Sequence, residues 1–564
     1  MNKTVHSKDF NFNSKVMKRY RKLFLASVVV IGLFSAYKAS DEYFEVSKNL
    51  DIFASVYKEV NLSYVDEVEP GALIKTAIDA MLKSLDPYTN YYSEAQTEDY
   101  RFQVTGEYGG IGATIRQRGE YVVIDNPYEG YPAQLADLRA GDKILEIDGK
   151  SVKGKTSDDM TKLLKGSAGT DISMKIERPG VGEMVKNFKR AKIKVNNVPY
   201  YGMVDQNTGY IKLTGFTPNA GKEVQDALKE LKKNNASMKS VILDLRGNGG
   251  GLLHEAVNVV NTFVKKGELV VSTKGRDRDN NRSYNTLDAV TDGDIPLAIL
   301  IDRGSASASE IVSGALQDLD RGVLIGQKSF GKGLVQSSRV LTFNTQMKIT
   351  TSKYYIPSSR CIQKLDYSNK VNGKAEAIAD SLKRNFYTRN RRPVRDGEGI
   401  TPDVAITEIK YTKITQSLLT KNIIFDFATQ YRNTHASIQM TKDFELTEKD
   451  FQDFMAFTSG KDYNYNTDTE EALTKFKDQA TKENYMGDLS SEYEQLVAKL
   501  KKNKSNDLEK YKEEIMQVLE EEIASRYYYE KARIEASFDN DLEIKEAIAL
   551  LSNSGKYTSL LTVK

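Results

Sequence analysis

The chain is poor in histidine, cysteine, tryptophan and long apolar runs. One cysteine, Cys361, among 564 residues excludes an internal disulfide framework and a cysteine-ligated metal cluster. Three histidines, His6, His254 and His435, leave few ways to build a serine–histidine site, so a serine nucleophile here would turn to a lysine for its base. Tryptophan is absent while tyrosine numbers 32, and neither bears on function. The net charge of +3 gives no argument for nucleic acid or another polyanionic partner. Hydrophobic residues at 40% and charged residues at 28% are ordinary for a globular chain, and the length allows three or four domains.

The one long uncharged apolar run lies near the N-terminus. Lys15, Lys18, Arg19, Arg21 and Lys22 precede it, it extends from Leu23 to Ala36, and Lys38 and Asp41 close it. As a helix it would rise about 21 Å, less than the ~30 Å hydrocarbon core. A basic flank before a run of this length reads as a signal-peptide core or a short anchor with its basic end in the cytoplasm. Neither Phe34-Ser35-Ala36 nor Tyr37-Lys38-Ala39 is a clean small-x-small cleavage site. The expectation is export to the periplasm or cell envelope, with the segment removed or kept as an inner-membrane anchor.

Beyond this, residues 41–97 read as helical, from Phe44, Leu50, Phe53, Val56, Tyr57 and Val60 at helical spacing and a second segment opened by Pro70. A β-rich module follows over 98–188, with strands at Tyr121–Asp125, Lys143–Asp148 and Ile172–Ile176 and a short helix at Asp158–Leu164. Over 198–407 the runs Val241–Leu245, Leu297–Ile301 and Val323–Ile325 read as strands buried on both faces. Helices at Lys222–Lys233, Leu252–Val264 and Ala308–Asp320 separate them, which predicts an α/β core. Residues 408–564 read as a helical accessory domain, with an amphipathic helix over Leu508–Phe538 and a loop at 458–470. The fold class expected is multidomain α/β: a mixed α/β core, an inserted β-rich domain, an N-terminal helical segment after residues 1–40, and a helical C-terminal domain.

Ser307 stands in Asp302-Arg303-Gly304-Ser305-Ala306-Ser307-Ala308-Ser309-Glu310, where a buried strand gives way to a helix. Serine there serves as an N-cap, and Glu310 three residues on completes a capping box. The same place offers backbone N–H groups that would meet a developing oxyanion, with the Ala308 amide foremost. Ser305 and Ser309 compete for either role. Lys332, in Phe330-Gly331-Lys332-Gly333, is either a solvent-facing turn residue or a base whose proton affinity is lowered by apolar surroundings. A strand starting at Lys332 would put Gln336 on the same face, where its amide oxygen can orient the amine. Gly247-Asn248-Gly249-Gly250-Gly251 suits an oxyanion donor, a phosphate cradle or a plain turn. No P-loop consensus accompanies it. Asp318, at the unfavourable end of the serine helix, calls for a cation, with Arg321 nearest in sequence. His254 is an alternative base.

Together these blocks resemble the C-terminal processing peptidases, or tail-specific proteases. The resemblance rests on Gly304-Ser-Ala-Ser-Ala-Ser-Glu-Ile311, Gln317-Asp318, Phe330-Gly-Lys-Gly-Leu-Val-Gln336, Asp244-Leu-Arg-Gly-Asn-Gly-Gly-Gly251 and Gly399-Ile-Thr-Pro-Asp403, and spans roughly 45–405. It implies Ser307 as nucleophile, Lys332 as general base, Gln336 as its orienting partner, Asp318 in support, and the amides of Ala308 and Gly250 as oxyanion donors. It also implies that 98–188 is a PDZ domain whose Gly109-Gly110-Ile111-Gly112 loop holds a substrate's terminal carboxylate while the peptide adds to a strand edge. Where the family usually has Pro-Ser-Gly-Arg, this chain has Pro357-Ser358-Ser359-Arg360. The expected function is an exported serine endopeptidase acting on proteins with exposed C-termini, without metal, nucleotide or other cofactor. The partners expected are peptide tails, the membrane through the N-terminal run, and a second copy or an adaptor protein, with no nucleic acid. The alternative is a catalytically silent PDZ scaffold, for which Ser307, Lys332 and Gln336 together would have no use.

Overall fold

The computed structural model describes residues 43–407 and 410–562, so the apolar run Leu23–Ala36 lies outside the described residues. Among the described residues no helix is long and apolar enough to cross a membrane. The chain divides into two compact units, Met1–Pro87 and Tyr88–Lys564. The described part of the first is a helix over 43–63 and a second over Pro70–Lys83, begun by the proline whose fixed φ suits a first helical turn.

At the centre of the second unit is a six-stranded sheet. Its strands run in sequence order: Tyr200–Met203, Thr208–Lys212, Ser240–Asp244, Leu297–Ile301, Val323–Gly326 and Val404–Ala405. The first pair is antiparallel and the others are parallel, so helices must carry the chain back across the sheet. Ala220–Asn234, Leu253–Phe263 and Ala308–Asp318 do so. The first buries Ala220, Val224, Ala227, Leu228 and Leu231, spaced three and four apart as one helical face requires. Alternation along each strand divides the sheet's side chains between two layers. Val241, Leu243, Ile299 and Leu324 pack under the crossover helices. Ile242, Ala298, Leu300 and Ile325 face the other way.

That second face is covered by the helix Leu542–Leu551, through Ile544, Ala547 and Leu550. Tyr557, on the following helix, donates its hydroxyl to the Leu297 carbonyl (3.2 Å) and accepts from the Leu297 amide (3.0 Å). These two helices therefore finish the layer on the second face of the central sheet. The helices before them gather around Ile424, Phe427, Phe451, Phe454 and Leu519. One long helix joins the two groups, Lys512–Ala536, bent at Tyr529 (φ 62°, ψ −155°). A positive φ at a residue this bulky is strained.

A separate cluster fills the module whose sheet order is Ala113–Arg118, Tyr121–Pro127, Lys143–Ile147, Asp171–Arg178, Gly182–Lys189. Among the described residues Ala113–Arg118 is an edge strand, paired on one side only. The helical bundle seats against this module. Phe425 lies under the guanidiniums of Arg116, Arg118 and Arg526 at 5.0, 5.4 and 4.4 Å, and Arg118 pairs with Asp426. A third sheet holds Leu334–Val340, Gln346–Tyr355, Leu269–Gly275, Arg282–Asn285 and Asn90–Tyr92. The last of these is a strand within the stretch that the sequence reads as helical.

Candidate active site

Ser307 is the residue immediately before the helix Ala308–Asp318, at φ 57°, ψ −111°. This sharp turn is strained for a residue with a Cβ, and it leaves the side chain half-buried. No side-chain cap bond is made by Ser307. The Glu310 amide donates to the Ser307 carbonyl instead (2.9 Å). The two competing serines are fully buried and engaged: Ser305 Oγ donates to the Leu245 carbonyl (2.8 Å) and Ser309 Oγ to the Asn248 carbonyl (2.8 Å). Of the three hydroxyls, Ser307's is the one that lines the open cavity.

That cavity, of about 410 Å³, also takes in Ala308, Gly250, Lys332, Gln336 and Tyr354. Lys332 does not start a strand, since the strand begins at Leu334 and slips register between Val335 and Gln336. The parity argument linking Lys332 to Gln336 therefore fails, yet both line the same space. Lys332 Nζ stands over the Tyr88 ring, 4.3 Å from its centroid. Gln336 donates its Nε2 to Thr350 Oγ1 (3.1 Å), which leaves the amide oxygen as its accepting end.

Glu310 ties the serine turn to the lysine turn. It is wholly buried and receives the Ser307 amide (2.8 Å) and the Lys332 amide (2.9 Å) on Oε2, and the Gly331 amide (2.7 Å) and Ser329 hydroxyl (2.5 Å) on Oε1. Burial pushes its carboxyl up to about 7 against the pull of these four donors. The sequence shows Glu310 only as a cap, because its further partners, Ser329 to Lys332, are remote along the chain. Tyr354 does similar work from a third element: its buried hydroxyl lies 2.7 Å from the Lys332 carbonyl and 3.1 Å from the Ser307 carbonyl. Nothing in the sequence marks Tyr354.

The glycine loop packs directly on the serine turn. A Cβ on Gly250 would fall 2.7 Å from the Ala306 carbonyl oxygen and 2.9 Å from Ser307 Cβ, so only glycine fits. Its amide, however, is donated to Asn248 Oδ1 (2.9 Å). In this conformation Gly250 is a wall of the cavity and not a presented oxyanion donor. Ala308 contributes the first amide of the helix, where no intrahelical acceptor exists.

Asp318 is at the far end of the same helix, outside this cavity. Its partner is Arg360 (2.9 Å), not Arg321, which donates to the carbonyls of Phe263 and Ile295 (2.8 Å each). Asp318 Oδ2 also accepts the Ser358 amide (2.9 Å). His254 is on the helix Leu253–Phe263 with its side chain 63% exposed, which removes it as a base. In the β-rich module Gly109 and Gly110 are strand residues, opposite Lys192 and Ala191. They are not the loop expected, since the Gly166 carbonyl occupies the space a Cβ on Gly109 would need. Ile111 is a buried core residue, and Gly112 (φ 75°) makes the turn into the edge strand.

Residues 207–371 match the family model "Peptidase family S41", 123–178 match "PDZ domain", and 414–551 match "Probable PDZ-protease, C-terminal helical domain". The carboxy-terminal-processing protease of Bartonella bacilliformis is 38% identical over 56% of this chain and 73% of its own length. The chain belongs to peptidase family S41. A CtpA-like serine protease of Staphylococcus aureus is 33% identical to this S41 peptidase, over 73% of the chain and 75% of the relative. A solved structure, the photosystem II D1 C-terminal processing protease, is 27% identical, covering 62% of this chain and 85% of that one with a TM-score of 0.35. The S41 chain thus carries a PDZ domain beside its peptidase domain and a helical domain after it.

Proposed function

We propose that this S41 peptidase is an exported endopeptidase that cleaves proteins near their C-termini through a Ser307–Lys332 pair. The observation that carries the reading is the cavity that a strained Ser307 lines together with Lys332 and Gln336. Ser307 Oγ attacks the scissile carbonyl carbon, its proton passes to Lys332 Nζ, and the carbonyl oxygen becomes an oxyanion facing the Ala308 amide. Collapse breaks the C–N bond, and the lysine returns the proton to the leaving amine. Water then adds to the ester, giving its proton to the lysine, and the acid product departs as Ser307 is restored. Gln336 directs the amine through its amide oxygen. A second oxyanion donor would come from the glycine loop once an amide is freed there.

The PDZ domain would hold the substrate's tail. The terminal carboxylate would meet the turn at Ile111–Gly112, and the peptide would add to the free edge of Ala113–Arg118. Export rests on the basic residues and apolar run before Lys38.

The test uses the full chain with an unfolded reporter bearing an apolar C-terminal tail. Wild type should cleave it, while Ser307→Ala and Lys332→Ala should each lose at least about a thousandfold in kcat and still bind the tail. Equal cleavage by all three proteins overturns the mechanism. Tail binding by wild type without cleavage, at neutral and mildly alkaline pH alike, favours the silent scaffold.

A further inference from the structure

The catalytic cavity is walled by a loop whose own support comes from the far side of the sheet. Arg246 directly precedes Gly247, and every polar group it has is engaged. Its amide donates to Asp244 Oδ1 (2.8 Å) and its carbonyl accepts from Lys212 Nζ (3.2 Å). Its Nη2 and Nε grip the Asp244 carboxylate at 2.7 and 3.0 Å. The remaining nitrogen, Nη1, pairs with Asp541 Oδ2 (2.7 Å) and Glu543 Oε2 (3.1 Å). Asp541 is itself fixed, because its other oxygen caps the helix Leu542–Leu551 by accepting the Ile544 amide (3.0 Å).

From Arg246 the chain has little freedom before it reaches the nucleophile. The Gly247 amide donates to Asp302 Oδ1 (2.9 Å), and Asn248 Nδ2 donates to the Leu213 carbonyl (2.8 Å). The Asn248 carbonyl accepts from the Ala306 amide (3.0 Å) and Ser309 Oγ (2.8 Å), both flanking Ser307. Just beyond, Gly250 touches the serine turn. A shift at Arg246 is therefore delivered, over a very short stretch of chain, to the wall where the oxyanion would form.

We infer that Arg246 is a positioning residue for the glycine loop and that Asp541 and Glu543, from the C-terminal helical region, hold it in register. This rests on the protease reading above. The guanidinium is suited to the task because its fork fixes direction as well as charge. Asp244 is entirely buried. Burial alone would push its carboxyl up, but Arg246 and Lys212 hold it well below the usual carboxylate range. Burial and the neighbouring Asp541 push Glu543 up, and Arg246 opposes them. Three carboxylates thus converge on two cations, and the arginine is the one shared by all three.

The test is the full-chain double variant Asp541→Asn/Glu543→Gln, which keeps the shape of both side chains and removes their charge. Three quantities are read: kcat and KM on a short untailed peptide, the rate at which a small fluorophosphonate modifies Ser307, and tail affinity. Misplacing an oxyanion donor acts on the transition state, so kcat should fall about 10- to 100-fold. Phosphonylation should slow in proportion, while KM and tail affinity stay within about twofold. Arg246→Lys, which keeps charge and loses the fork, should behave alike. A double variant with wild-type kcat, or one altered in KM alone, overturns the inference. If the double variant fails to fold, Arg246→Lys decides on the same three readings. Turnover persisting in Ser307→Ala would instead sink the protease reading beneath it.

Discussion

The helix Ala308–Asp318 has a buried carboxylate at each end, and the two are held in opposite ways. At the serine end Glu310 is surrounded by four neutral donors. At the other end Asp318 faces the buried guanidinium of Arg360. Neutral donors fix loops without placing a permanent cation against the Ser307 turn, and they leave Glu310 able to titrate near neutrality, at about 7. A cation at Asp318 fixes the loop Ser358–Arg360 far from any chemistry. The difference separates a carboxylate that ties together the turns of the proposed site from one that anchors the far end of the helix.

The sharpest way to break the contrast is to strand the paired charge. Arg360→Ala should cost about 3–5 kcal/mol of unfolding free energy, as removal of one member of a buried pair does. It should leave kcat per folded molecule unchanged. Urea unfolding and active-site titration check the two halves, and a large kcat loss in the folded fraction would erase the distinction. The next effect comes from Glu310→Gln, followed by stability against pH. A carboxyl raised by folding binds its proton more tightly in the native state. Its contribution is therefore present below about pH 4.5 and lost as pH rises to about 7. Over that window wild type should lose on the order of 3 kcal/mol relative to the variant. Activity should run the other way, since only the ionised carboxylate accepts all four donors, so the wild-type rate should fall below about pH 7 with a limb that the variant alters. Absence of any pH-dependent difference would mean that Glu310 does not titrate there. The smallest effect is at Ser359, which occupies φ 71°. Ser359→Gly should raise stability by up to about 1 kcal/mol, read as a shift in the urea midpoint.

Much of this arrangement is legible in the sequence where local pattern carries it. Strands such as Leu297–Ile301 are apolar throughout because helices cover both their faces, and such runs have no rival reading. Small residues between a strand and a helix mark the turn that holds Ser307. What escapes is tertiary. Arg360 is remote in sequence from Asp318, so the pattern offers Arg321 in its place. It leaves Lys332 open between a turn and the start of a strand because a turn followed by a register slip leaves no trace in the spacing of side chains. It runs one helix over Leu508–Phe538, since apolar spacing continues through Tyr529 although the backbone bends there. The resemblance makes Gly109 and Gly110 part of a loop, but glycine marks close approach as readily as a turn, and here Gly166 approaches.

The covering of the central sheet by Leu542–Leu551 has a topological consequence. In sequence, the helices gathered around Phe427 and Phe451 stand between the sheet's last strand, Val404–Ala405, and the helix that covers its second face. Cutting the gene after residue 407 would strip Ile242, Leu300 and Ile325 of their cover and yield an insoluble product. Excision with a short bridge that rejoins the two flanks is the deletion the architecture tolerates.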